Sequence, residues 1–389
     1  MIVSLTKDEA RIVARAQTLT AEHVAPNAAA WEARRTTPRD ALRQGCALGL
    51  AGLLIPKRHG GLELRHVAAA KVMETLATAC PSFAFALWVH HNATNGIARS
   101  GSDAQIDKYV PAMLAGDLIG AFCLTEPGTG SDAAAITTQA TPNAGGWTIN
   151  GTKSWVTNGA WADVHAVYCQ TDAANGWRGI ASFIVDGTAQ GLARTPAYDL
   201  LGGHAMGSAG LTFANCHVPA DSMLLPPGQG FKAAMGGINQ ARVFASALLV
   251  GALRAALDYA VAFARQRNAF GKPVLEFQGL QWQLADVATD LEAARLLTYA
   301  AAAALDRGET AMLEAAHAKK FTGRAALAGI VQCMQAMGAE GLKCEHPLAR
   351  HLSFAKAAQY LDGTTEIQNV VIGRSLLASA VIKDKREAS

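Results

Sequence analysis

The chain is predicted to be mainly α-helical, with a small β-rich lobe inserted between two helical lobes. Apolar residues recur at helical spacing from Thr6 to about Gly116, and again in longer runs beyond Phe231. Between these stretches lie short β-branched and aromatic segments separated by Gly, Asn and Asp. Half of the 389 residues are hydrophobic and only 17% are charged, a composition for closely packed helices and not for a disordered chain. That length exceeds what one core usually supports, so cooperating lobes are expected.

The first lobe, residues 1–120, opens with Thr6–Glu9, which spells a capping box with Leu5 as the staple residue before it. A helix is expected to begin there, and no basic stretch leading into an apolar run marks a signal peptide. Breaks fall at Pro26, Pro38, Pro56, the Gly60–Gly61 pair and Gly101. The texture changes near Ala121. In the second lobe, 121–231, strands are expected at Trp147–Asn150, Val164–Gln170, Ile180–Val185 and Gly210–Phe213, closing near Pro226–Gly230. The third lobe, 232–389, reads as helices at Lys232–Arg265, Val274–Leu305, Met312–Met337, His346–Tyr360 and Thr364–Ile382, enough for a bundle. Helices, then a sheet, then helices is not the alternation of a doubly wound fold.

Composition removes several classes of function. The net charge of +3 is small and Lys and Arg are scattered, so no basic stripe offers itself to nucleic-acid phosphates. Seven cysteines (Cys46, Cys80, Cys123, Cys169, Cys216, Cys333, Cys344) show neither Cys-x-x-Cys spacing nor a clustered histidine. No metal site or disulfide framework is expected, and they read as reduced core thiols of a cytoplasmic protein. The most apolar stretches, Phe244–Leu253 and Leu296–Leu305, are too short for a bilayer, so no membrane crossing is expected.

Four segments carry residue types suited to chemistry, and each alone also has an ordinary structural reading. In Leu124–Asp132 the glycines let backbone N–H groups approach an anion while Thr and Ser add hydroxyls, though a tight turn uses the same residues. Lys153–Gly159 reads as a strand whose alternation sets Trp155 and Thr157 on one face, against a ligand or in a core. Arg265–Lys272 is a basic helix end with an aromatic and a glycine stop, as a capped C-terminus would be. Leu361–Gln368 sets Asp362 and Gly363 before a helix, where Asp is a preferred N-cap.

In this order, the four segments resemble the signature set of the acyl-CoA dehydrogenases, and the resemblance runs from the N-terminal helices to Arg374. It implies a helical domain, a β-barrel-like middle domain and a four-helix bundle that builds a homotetramer, a dimer of dimers, with FAD as cofactor. By the same resemblance Leu124, Thr125, Gly130 and Ser131 belong to the flavin loop, Thr125 at the pyrimidine and Ser131 near the pyrophosphate. Trp155 and Thr157 lie against the isoalloxazine, and Thr364 and Glu366 touch the cofactor again. Arg267, Phe270, Gln278, Gln335 and Gly338 resemble residues that reach across a dimer to the adenine half of a neighbour's FAD. Phe231, Arg242 and Gly363 resemble positions bordering the thioester. The helix Trp88–Asn95 resembles the floor of the acyl pocket, with Trp88 shortening the cavity and His91 beside it; ordinary core histidines at His90 and His91 are the plain alternative.

The implied reaction is α,β-dehydrogenation of an acyl thioester on coenzyme A or a carrier protein. It needs a base at the α-hydrogen, flavin N5 at the β-hydrogen, and donors for the thioester oxygen, namely the backbone N–H of the base residue and a flavin ribityl hydroxyl. Electrons would pass to an electron-transfer flavoprotein or similar acceptor. The base position holds Asp362 where the family usually has glutamate, and the alternative base site just before Arg242 is Ala241. One methylene less retracts the carboxylate by roughly 1.5 Å. A short, branched or polar acyl group in an altered pocket would compensate. The alternative is an oxidase or monooxygenase branch using oxygen, since nitroalkane-oxidising relatives also use aspartate. A third reading, a flavin-binding but inactive or DNA-associated relative, finds no basic C-terminal extension to support DNA contact. Asn369 in place of an arginine and Gly203–Met206 in place of an Arg-x-Ser run are further departures, and Glu126 is expected to serve the loop's structure.

Overall fold

The computed structural model describes residues 4–36 and 38–387, with side chains described through residue 378. The chain forms two compact units. One is Leu5–Val72 with Ser82–Gly237, and the other is Met73–Pro81 with the chain from Ile238 onward.

In the first unit the expected helix start is present: α1 (Lys7–Leu19) is capped by Thr6, and Glu9 closes the box. Helices α2 (Ala28–Arg34) and α3 (Arg39–Ala47) follow, then α4 (His66–Ala77), which this unit holds only through Val72, α5 (Pro81–Ser100), which it holds from Ser82, and α6 (Asp103–Ala115). The break expected at Gly101 separates α5 from α6, whose first turn is capped by Ser102 in a second box with Gln105. Trp88, His90, His91 and Thr94 of α5 are all fully buried, which makes it the central helix of this lobe.

The sheet has eight strands: β1 (Gly120–Cys123), β2 (Gln139–Asn143), β3 (Gly146–Val156), β4 (Val164–Gln170), β5 (Ile180–Asp186), β6 (Leu192–Arg194), β7 (Ala209–Pro219) and β8 (Met223–Leu225). Their order is β6-β7-β3-β2-β4-β5-β8, with β1 pairing β4 in parallel. All seven residues of β4 are buried, which accounts for a run without alternation. Its core gathers Cys123, Ile149, Val156, Val167, Phe183, Leu211 and Phe213. The sequence pattern missed β1, β2, β6 and β8. β2 is mostly exposed and contains Pro142, while β6 and β8 have three residues each, too few to display a period.

The second unit holds most of α7 (Gln229–Gln266), then α8 (Gln278–Asp306), α9 (Met312–Met337), α10 (Pro347–Ala358) and α11 (Thr365–Glu387). The α9 boundaries are those expected, but α7 begins three residues earlier than Lys232. The stretch Val274–Glu276, expected to open α8, is a separate 3-10 turn. Small residues set the packing: a Cβ on Gly329 of α9 would come within 2.6 Å of Leu253 on α7. Length and composition alone would let α7 cross a membrane, yet Val243–Val250 are buried throughout, as in a core helix. Six cysteines are buried free thiols. The expectation that all seven are core residues fails at Cys344, which is exposed.

Candidate active site

In the first unit, the loop Leu124–Asp132 is anchored by one acid. Glu126 accepts hydrogen bonds from Thr137 N (2.7 Å), Thr137 Oγ1 (2.8 Å), Thr138 N (2.9 Å) and Lys153 Nζ (2.8 Å). Lys153 has no exposed surface and also donates to Leu124 O at 2.9 Å, while Ser154 N donates to Thr125 O at 2.9 Å. Burial alone would raise the Glu126 carboxyl, but the Lys153 charge and the converging donors hold it down at about 2. Glu126 is thus a permanent anion that fastens the loop to β3, as expected of a structural residue. Beyond it Gly130 and Ser131 are exposed. Cβ atoms added at Gly128 or Gly130 would meet nothing within 4 Å, and Thr129 Oγ1 is buried without a partner.

The alternation expected across Trp155 and Thr157 is overturned. The β3–β7 register shifts between Lys153 and Val156, and Trp155 occupies this bulge with φ +59°. Bulges re-aim side chains: Trp155 is 61% exposed, stacked at a tilt on Tyr198, whereas Thr157 is buried. Left-handed backbone is strained for tryptophan and such strain concentrates at functional sites. Asn158, also left-handed, ties this turn to α5 and β1 by donating Nδ2 to Ala86 O (3.0 Å) and Gly120 O (3.1 Å).

On α5, His90 is an ordinary core histidine: Nε2 donates to Met113 O (2.9 Å) and Nδ1 accepts from Gly120 N (3.0 Å). His91 differs. Its Nδ1 donates to Ala51 O at 2.8 Å, leaving buried Nε2 as an acceptor with no partner, and burial lowers its pKa to about 4, so it stays neutral. Trp88 packs on the same ring at 4.9 Å. Phe231, in the first turn of α7, lies 5.9 Å from the Trp177 ring. Of the Gly203–Met206 departure, His204 pairs with Glu32 at 3.1 Å.

In the second unit, the helix-cap reading of Asp362 is not what the fold uses. Thr364 Oγ1 accepts from Ile367 N (3.4 Å) at the head of α11, so Asp362 is free of that duty. Asp362 and Gly363 form a doubly left-handed turn, with φ +50° and +95°. Three side chains clamp its carbonyls. Arg242 Nε of α7 donates to Asp362 O at 3.0 Å; Lys319 Nζ of α9 (2.7 Å) and Gln368 Nε2 of α11 (2.9 Å) both donate to Gly363 O. The carboxyl itself is left alone: Oδ2 is shut off from solvent without a hydrogen-bond partner. Burial raises its pKa to about 6, against the opposing pull of Lys319 and Arg242. The position just before Arg242 is buried Ala241, which offers no second acid.

Arg267, Phe270, Gln278, Gln335 and Gly338 are all exposed on this unit, and Phe270 is 96% exposed. The Arg265–Lys272 segment is not a capped helix end. Asn268–Ala269 (β9) and Lys272–Pro273 (β10) form a hairpin, and Phe270–Gly271 is its two-residue turn with φ +50° and +81°, the positive angles that tight hairpins require. Thr364 is half-buried and Glu366 exposed beside the Asp362 turn. Sequence reading quoted Lys153 and Gln368 within their segments without giving either its anchoring role, and it missed Lys319. Lys319 lies in an alanine-rich stretch that gives no signal of its burial.

Three family models match in chain order: the acyl-CoA dehydrogenase N-terminal domain over residues 6–117, its middle domain over 121–216 and its C-terminal domain over 228–377. The human mitochondrial short-chain specific acyl-CoA dehydrogenase is 38% identical over 355 residues, covering 91% of this chain and 86% of that protein. The solved butyryl-CoA dehydrogenase from Megasphaera elsdenii superposes with a TM-score of 0.93 at 32% identity, covering 97% of this chain and 100% of the other. A solved prolyl acyl carrier protein oxidase reaches a TM-score of 0.90 at 26% identity over 96% of this chain and 100% of the other.

Proposed function

The chain belongs to the acyl-CoA dehydrogenase family of oxidoreductases, and from that premise we propose that it removes the α-proton and β-hydride of an acyl thioester, with Asp362 as the base. The observation that carries this reading is the carboxyl of half-buried Asp362: shut off from solvent and unpartnered at Oδ2, with a pKa of about 6, and released from capping α11. A carboxylate needed only for structure would be saturated with donors, as Glu126 is.

FAD, which solved members of the family hold, supplies the hydride acceptor when bound. The residues present fit it: glycines facing open space, a buried hydroxyl without a partner and an exposed indole on a strained bulge. We assign Leu124, Thr125, Gly130, Ser131, Trp155 and Thr157 to holding it, with Thr364 and Glu366 near the base. The exposed Arg267, Phe270, Gln278, Gln335 and Gly338 are assigned to the FAD of a second copy in a homotetramer.

Above pH 6 Asp362 is increasingly ionised and takes the α-proton, while its own backbone N–H is the donor we assign to the thioester oxygen as that oxygen gains charge. Arg242 fixes the Asp362 carbonyl, so the carboxyl and the N–H are oriented by one clamp. Phe231, Arg242 and Gly363 are assigned to the thioester. Fully buried Trp88 and the free acceptor on His91 favour a short, branched or polar acyl group, on coenzyme A or a carrier protein. An electron-transfer flavoprotein is the proposed electron acceptor. The likeness to a carrier-protein oxidase supports a second reading in which oxygen takes the electrons.

A screen of acyl thioesters and nitroalkanes for anaerobic flavin bleaching tests both. A thioester should bleach the wild type and leave Asp362→Asn coloured. Admitting air separates the two readings, since only an oxidase recolours rapidly with release of peroxide. Bleaching of Asp362→Asn at the wild-type rate would remove the base assignment.

A further inference from the structure

Lys319 is an unusual presence in α9. It is 3% exposed among Ala315, Ala316, Ala318 and Thr322, where methionine would fill the same space without desolvating a charge. Its ammonium donates to two carbonyls, Ala358 O at the end of α10 (3.1 Å) and Gly363 O (2.7 Å). The first bond satisfies a helix C-terminus, a purely structural use. The second reaches the peptide that follows the proposed base, in a turn where the aspartate is held in left-handed backbone at φ +50°.

Resting on the function proposed above, we propose that Lys319 is a positioning residue for Asp362: it pins the base's turn through the Gly363 carbonyl and supplies a charge that keeps the carboxyl ionised. The charged groups facing this pair are few in the described structure. Arg242 of α7 acts on both, Glu366 of α11 acts on Lys319, and Lys356 of α10 acts on Glu366. Arg242 and Lys319 hold Asp362 down against burial, and Lys319 is itself lowered to about 8, chiefly by burial and despite Asp362. Asp362 is therefore charged above about pH 6 and Lys319 below about pH 8, and both are charged together between those values.

The test uses the flavin-loaded full chain. The protonated-carboxyl infrared band that disappears in Asp362→Asn is titrated in wild type, Lys319→Met, Lys319→Gln and Lys319→Arg, beside the acid limb of kcat/KM. Removing the charge should move the band's midpoint and the acid limb upward together by about one pH unit or more. Lys319→Arg should stay nearer wild type, a rescue that simple packing would not give. Gln keeps a donor for Gly363 O without the charge, so it decides the matter if Met fails to fold. A wild-type midpoint in folded Lys319→Gln overturns the proposal. Because the band titrates without turnover, a failed substrate screen would sink the functional reading and still leave the Lys319 result readable.

Discussion

Two carboxylates, buried Glu126 in one unit and half-buried Asp362 in the other, have opposite surroundings. Glu126 receives four hydrogen bonds, including one from a fully buried lysine, and stays ionised down to about pH 2. Asp362 has its carbonyl clamped but its carboxyl oxygen Oδ2 bare, and titrates near 6. Both are desolvated, and what separates them is where the donors point. At Glu126 they converge on the carboxyl and lock it. At Asp362 they converge on the backbone, so the turn is rigid and the carboxyl is available to exchange a proton near neutral pH. Donors that saturate one acid and leave the other bare fit a structural role for Glu126 and the role of base proposed for Asp362.

The largest effect expected from breaking this contrast is at Asp362. Asparagine there keeps shape and removes basicity, so anaerobic flavin bleaching should slow by at least about a thousandfold. Glutamate keeps the base but lengthens it, and stopped-flow rates should fall between the two. At the other acid, Glu126→Gln should leave Lys153 buried and unpaired, which costs on the order of 3 kcal/mol; a melting-temperature drop at pH 7, absent when Asp362 is changed to Asn, is the check. Glu126 has a depressed folded pKa, so its contribution is full above about 4.5 and is lost as pH falls toward about 2. Denaturation followed over that range should show a steeper acid loss in wild type than in Glu126→Gln. The smallest effect is at the cap: Thr364→Ala should lower stability by about 1 kcal/mol, whereas Asp362→Ala should show no capping loss in the same denaturant titration.

Much of this was legible in the sequence. Long runs at helical period announced α7, α8, α9 and α11, and the Thr6–Glu9 box fixed the first helix start. Asp362, Arg242 and Gly363 were singled out, and the structure gathers them in one turn and its clamp. What stayed hidden depends on contacts distant in sequence. Lys319 and Lys153 are buried because carbonyls and an acid from remote segments await them, which no local pattern records. The Trp155 bulge is a mismatch between β3 and β7, so simple alternation along β3 gave the wrong face. Thr364 against Asp362 as the helix cap was a choice between two suitable residues, decided only by the turn's geometry.

The most direct test is the pH dependence of anaerobic single-turnover flavin bleaching by a thioester that the wild type accepts. The expected result is a rate that climbs with a midpoint near pH 6 and has no such limb in Asp362→Asn, which stays slow throughout. A fast Asp362→Asn whose limb overlies that of the wild type would mean that another group takes the proton, and that the bare carboxyl is not the base.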